Sequence, residues 1–267
     1  MTHPQRSGFL ASVGIAALAL AVQSASASQI DALKAHVPDK VDFDPVKNAG
    51  VHKIALLHIN APRKIVVDNS SLMGAAFPGL VELSVESGMN GVHAGDYIKA
   101  MQAKSISFVP GLAEALTKAL QDDGYQVEYL TQGPRLKEDK KTLDYTNIRT
   151  DADALLTVWY SKIGYWSPTG KPDYAPQIIM GVKLTDAHTF ETIFFKAFDV
   201  ASNASQVRGD NVEAIAPDEK YRYATFDALM EHFDESVQGI LDGEALIAAH
   251  VAQRLKPTAA APAASAP

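Results

Sequence analysis

The sequence contains no cysteine. That absence excludes disulfides, a thiolate nucleophile, Cys-ligated zinc and an N-terminal acylated cysteine. A basic surplus is missing too: the 267 residues carry a formal net charge of −7. Nucleic-acid binding needs a positive footprint, and none is present. There is no Gly-x-Ser-x-Gly elbow, no Gly-x-Gly-x-x-Gly turn, no phosphate loop and no His-Glu-x-x-His pair. No cofactor and no metal is therefore expected. What is present, 47% hydrophobic and 21% charged residues, is the composition of a globular protein.

The N-terminus reads as an address. Arg6 supplies a positive start, Gly8 to Val22 form an uncharged apolar run, and Ala25-Ser26-Ala27 offers small residues to a signal peptidase. The apolar run is shorter than the roughly twenty residues a spanning helix needs. Residues 1–27 are thus expected to be a signal peptide cleaved after Ala27, leaving an exported, soluble, periplasmic chain of bacterial type. No later stretch reads as a transmembrane segment. At the other end, residues 256–267 are rich in Ala and Pro with nothing large to bury, and read as a disordered tail.

Residues 28–255 read as a single α/β domain with a glycine-bearing insertion at about 63–107. Val51 to Ile59 is a short apolar run suited to a strand covered on both faces. Within the insertion, Leu80 to Glu86 and Asp96 to Lys104 have helical patterns, and Leu72 to Val81 is an apolar stretch suited to helix packing. Pro110 and Gly124 bracket a helix with Leu112, Leu116 and Leu120 on one face, and Tyr125 to Leu130 follows as a strand. A strand from about Ala154 to Gly164 comes next. Pro176 to Thr185 alternates, with Ile178, Met180, Val182 and Leu184 on one side. Asp186 to Thr189 supplies a turn, and Phe190 to Val200 returns as the hairpin partner, apolar on both faces and so interior. A long final helix is expected from about Tyr221 to Arg254. The order predicts a mixed β-sheet sandwiched by helices, with a C-terminal hairpin and a long final helix.

Two segments, Ala152-Asp153-Ala154-Leu155-Leu156 and Val182-Lys183-Leu184-Thr185-Asp186-Ala187, carry a resemblance. The chain resembles a group of bacterial envelope proteins over roughly residues 50–130 and 150–250. The group includes the curli-secretion lipoprotein, the lipoprotein activators of penicillin-binding proteins and the N-terminal domain of the Tol-system propeller protein. The chain departs from its lipoprotein members in lacking the lipidated cysteine. The resemblance implies a non-enzymatic assembly or regulatory role in the envelope and transfers no active-site residue.

Candidate chemistry is sparse. His52 and His58 share a side of the first strand but lie about 20 Å apart, too far for one metal. His232, Asp234 and Glu235 read as a solvated helix face, and so do Glu82 and Glu86. His93 with Asp96 lies among glycines, and an exported serine-type hydrolase using His93 is one alternative function. A small-ligand-binding periplasmic protein is the other. The leading expectation is an accessory protein that binds an envelope protein partner without catalysis. Both tryptophans and three tyrosines crowd residues 159–174. Trp159 and Tyr160 read as core. Tyr165, Trp166 and Tyr174, flanking a Pro-stiffened loop, are the candidate binding residues, because rigid aromatic rings give contact area at small entropic cost.

Overall fold

The computed structural model describes residues 43–69, 80–138, 142–168, 173–201 and 211–256, with side chains in the first long helix from Asn90 onward. The leader, the segment 72–79, the tip of the aromatic loop and the C-terminal tail lie outside them. The fold is the expected mixed α/β arrangement: a seven-stranded mixed sheet with helices, the last of them long. No helix among the described residues is long and apolar enough to cross a membrane.

After a helical turn at Pro45–Asn48 come β1 (Lys53–Leu56), β2 (Val66–Asn69), α1 (Leu80–Ala103), α2 (Val109–Asp122) and β3 (Gln126–Tyr129). A small hairpin of β4 (Arg135–Leu136) and β5 (Leu143–Asp144) precedes β6 (Ala154–Ser167), β7 (Ala175–Asp186), β8 (Thr192–Val200) and β9 (Val212–Ile215). Then α3 (Phe226–Glu231) leads into α4 (Phe233–Leu255). The sheet order is β3-β1-β6-β7-β8-β9. β6 is long enough to accept β1 beside Ala154–Leu156 and β2 beside Gly164–Ser167 on the same edge, both parallel. β6, β7 and β8 form the antiparallel centre.

Local chemistry explains several boundaries. In α2, Leu112, Leu116 and Leu120 are fully buried. Gly124 ends that helix at φ +96, where the Tyr125 amide reaches back to the Leu120 carbonyl at 3.1 Å, a closure that favours glycine. The two helices expected in the insertion are one, α1. The final helix is instead two: Thr225 caps α3 by accepting from the Ala228 amide at 3.1 Å, and His232, at φ −101 and ψ 37, interrupts the run before α4.

The main core lies between one sheet face and the helices. Ile54, Leu56, Leu156, Val158, Ile178, Met180, Val182 and Leu184 meet Tyr97, Met101, Leu112, Leu116, Ile240, Ile247 and Val251 there. Polar contacts stitch α4 along its length. The Tyr165 hydroxyl donates to the Ser236 carbonyl at 2.9 Å, and Tyr97 meets the Ser236 hydroxyl at 3.0 Å. At the far end Asn48 donates to the Leu255 carbonyl at 2.9 Å. A smaller cluster, Ala55, Leu57, Tyr145, Ile148, Ala152 and Leu155, sits on the opposite face. The first strand is thus covered on both sides, as its uninterrupted apolar run implies.

Candidate functional site

The second sheet face, away from the described helices, is set by the pleat of β6, β7 and β8. Register places Thr157, Trp159, Lys162, Gly164 and Trp166 of β6 on it, with Gln177, Ile179, Gly181, Lys183 and Thr185 of β7 and Phe195, Ala197 and Asp199 of β8. Among the described residues, segment 130–152 packs on the end of this face near Leu155, Thr157 and Thr185. Tyr145 lies beneath the Lys183 ammonium there, 5.5 Å from ring centre to nitrogen.

A β-bulge between Tyr160 and Lys162 decides which aromatic rings reach which face. Before it the odd residues of β6 point to the second face; after it the even ones do, because the extra residue reverses the pleat. Tyr165 therefore turns into the main core, 0% exposed, and Trp166 turns out of it. Tyr174 is also core, 2% exposed, pairing backbone to backbone with Tyr223. The expectation that Tyr165, Trp166 and Tyr174 form one aromatic surface is corrected accordingly. Tyr165 and Tyr174 are buried among Tyr97, Tyr223 and Phe233, and only Trp166 is half-buried on the other face. Trp159, expected as core, is half-buried there as well, its ring stacked 6.1 Å from Phe195 and lying over Gly181. A Cβ at residue 181 would stand 2.2 Å from that indole, so the glycine makes room for the ring.

Charge enters this face at one end. Lys162 pairs with Asp68 of β2 at 3.5 Å and lies 5.6 Å over the Trp166 ring. Burial holds its ammonium below the ordinary lysine range, with Asp68 opposing the shift. Asp199 is 8% exposed, and burial pushes its carboxyl up to about 6, with Lys162 pulling the other way. Among the described residues its Oδ1 has no hydrogen-bond partner, and neither does Oε1 of Gln177, one strand across. Asp199 sits in a run reading Phe194-Phe195-Lys196-Ala197-Phe198-Asp199-Val200, where a charge at an interior strand position was the available signal.

A second buried acid lies on the helix side. Glu244 occupies the apolar stripe of α4 between Ile240 and Ile247 and is 1% exposed. It accepts from the Tyr160 hydroxyl at 2.5 Å, while its Oε2 has no partner among the described residues. Burial pushes this carboxyl up to about 8 against the opposing Tyr160 bond. The Tyr160 phenol is raised as well, first by burial and then by the neighbouring acid. The helical spacing that marks the stripe also marks Glu244 as its exception.

No family model matches the sequence, and no curated protein matches it. Three solved structures with similar architecture come from bacteria. A Xanthomonas campestris protein of the DUF330 family is 11% identical, covering 80% of this chain and 91% of its own, with a TM-score of 0.35. A Chlamydia trachomatis hypothetical protein is 8% identical over 78% of this chain and 100% of its own, at 0.32. A neuraminyllactose-binding hemagglutinin homologue from Helicobacter pylori is 12% identical over 84% and 99%, at 0.31.

The histidines are placed as follows. His93 stacks on Phe226 at 3.9 Å with an interplanar angle of 10°, and burial lowers its pKa. His232 pairs with Glu235 at 3.3 Å. His58 meets the Tyr129 hydroxyl at 3.3 Å, and His52 is exposed. His250 and Arg254 of α4 both contact Glu213 of β9 at 2.7 Å, tying the last strand to the last helix. Among the described residues no three potential metal ligands converge. The side chains of Glu82 and Glu86 lie outside the described set.

Proposed function

We propose that this chain is an exported accessory protein of the bacterial envelope that acts by binding a protein partner, with the second face of the sheet as the contact surface. The carrying observation is the division of the sheet. The described helices pack their apolar residues on one face, while the other turns Trp159, Lys162, Trp166 and Ile179 outward as half-buried side chains. Two half-buried tryptophan rings on one face match the aromatic enrichment of protein interfaces. The Gly8–Val22 run followed by Ala25-Ser26-Ala27 supports export. The resemblance to curli-secretion, penicillin-binding-protein activator and Tol proteins supports an assembly or regulatory role.

A photocrosslinking amino acid at position 166, in the full chain produced in its own cells, tests this reading. Irradiation should give one discrete adduct with a second protein. The same group at Val46, 83% exposed but remote from this face, should give none. No adduct at 166, or the same products from both positions, would overturn the surface assignment.

A further inference from the structure

Within the proposed docking face, Asp199 and Gln177 each hold a buried acceptor with no partner among the described residues. Register sets Asp199 opposite Ile179 on one side and Ala214 on the other, with Ala197 and Ala201 its same-face neighbours along the chain. None of those side chains can donate a hydrogen bond. Lys162 is the cation whose field reaches Asp199, but its ammonium is engaged with Asp68 and lies over Trp166. Lys162 thus answers both Asp68 and Asp199, with Lys64 as a second cation in its field. Both unpartnered atoms, Oδ1 of Asp199 and Oε1 of Gln177, are assigned as acceptors, and both side chains are more than nine-tenths buried. Leaving a buried carboxylate oxygen unpaired is costly unless something completes it.

We propose that the complement is an arginine side chain of the protein partner, whose guanidinium bonds Asp199 and reaches Gln177 beside it; this rests on the docking reading above. Three features select arginine. Two acceptors in neighbouring strands call for a donor with several N–H groups in one plane, which the guanidinium provides. The Asp199 carboxylate, with a buried oxygen that has no partner among the described residues, calls for a positive charge. The adjacent half-buried Trp159 ring, backed by Phe195, offers aromatic surface against which a guanidinium packs well.

The test compares the wild-type chain with Asp199→Asn, both carrying the photocrosslinker at 166 in the producing cells. Asparagine keeps the shape and removes the charge. The adduct should fall by about tenfold or more, the effect of deleting one member of a buried charged pair. The purified variant should melt at or above the wild-type temperature, because a desolvated charge has gone. Mass spectrometry of the wild-type adduct should place an arginine of the partner next to the attachment point, and this decides the question if the variant fails to accumulate. An undiminished adduct in Asp199→Asn overturns the arginine assignment and leaves the docking face standing. An attachment peptide without arginine, or one from a second copy or from residues 28–42 of the same chain, also overturns it. No adduct in the wild type removes both readings.

Discussion

Replacing Glu244 with glutamine should remove a pH dependence of stability that is unusual in sign. Glu244 is 1% exposed, keeps one oxygen unpartnered, and is held near pKa 8 against an ordinary value of 4.5. Below pH 4.5 the side chain is neutral in both folded and unfolded chains and contributes no pH-dependent penalty. Between 4.5 and 8 the folded state binds more protons than the unfolded state, so stability falls as pH rises. One pKa unit corresponds to about 1.4 kcal/mol. The penalty is therefore about 3 kcal/mol at pH 7 and roughly 5 kcal/mol once both states are ionised. Asp199, raised from 3.8 to about 6, adds a slope of the same sign between those values. The informative quantity is the difference between wild type and Glu244→Gln, in which the Asp199 contribution cancels. Glutamine keeps an oxygen for the Tyr160 hydroxyl, now at 2.5 Å from Oε1, and carries no charge at any pH. Urea denaturation of the mature protein at pH 5, 6, 7 and 8 should show the variant gaining on the wild type as pH rises, by about 3 kcal/mol at pH 7 relative to pH 4.5. A constant difference across that range would refute the assignment of a buried, neutral Glu244.

Four other outcomes are expected. Tyr165→Phe should cost about 1 kcal/mol through the lost bond to the Ser236 carbonyl, and Tyr165→Ala about 3–5 kcal/mol, both read by chemical denaturation. Trp166→Ala should weaken partner binding by about 2 kcal/mol and cost only about 1 kcal/mol of stability for the lost Lys162 contact; a larger folding loss with unchanged binding would count against the docking face. Gly181→Ala should push the Trp159 ring outward, with a red-shifted emission and a loss of about 1–3 kcal/mol. N-terminal sequencing of the exported protein should begin at Ser28, and a start at Met1 would contradict cleavage after Ala27.

Features governed by neighbours in the chain are legible in the sequence alone. Helix α2 is one: Pro110, the Leu112, Leu116 and Leu120 spacing, and Gly124 state its start, its buried face and its stop. The alternation of β7 and the Asp186 turn are others. Asp186 accepts from the His188 and Thr189 amides at 2.8 and 2.7 Å, and Ile178, Met180, Val182 and Leu184 all enter the main core. The mixed sheet and the long last helix follow from the order of such elements. What the tertiary structure alone decided depends on residues far apart in sequence. The bulge at Ser161 exists only in the pairing of β6 with β7, and it reverses the pleat, sending Tyr165 inward and Trp166 outward. The addition of β2 to the edge of β6 requires Gly164, because the Val66 carbonyl lies 1.9 Å from where a Cβ would stand. Glu244 and Asp199 show the same limit. Their positions in apolar patterns mark them as exceptions, but their burial, and hence their raised pKa values, arises from the packing of strands and helix around them. Period and capping are local properties of a chain, whereas register and desolvation belong to pairs of segments that meet only when it folds.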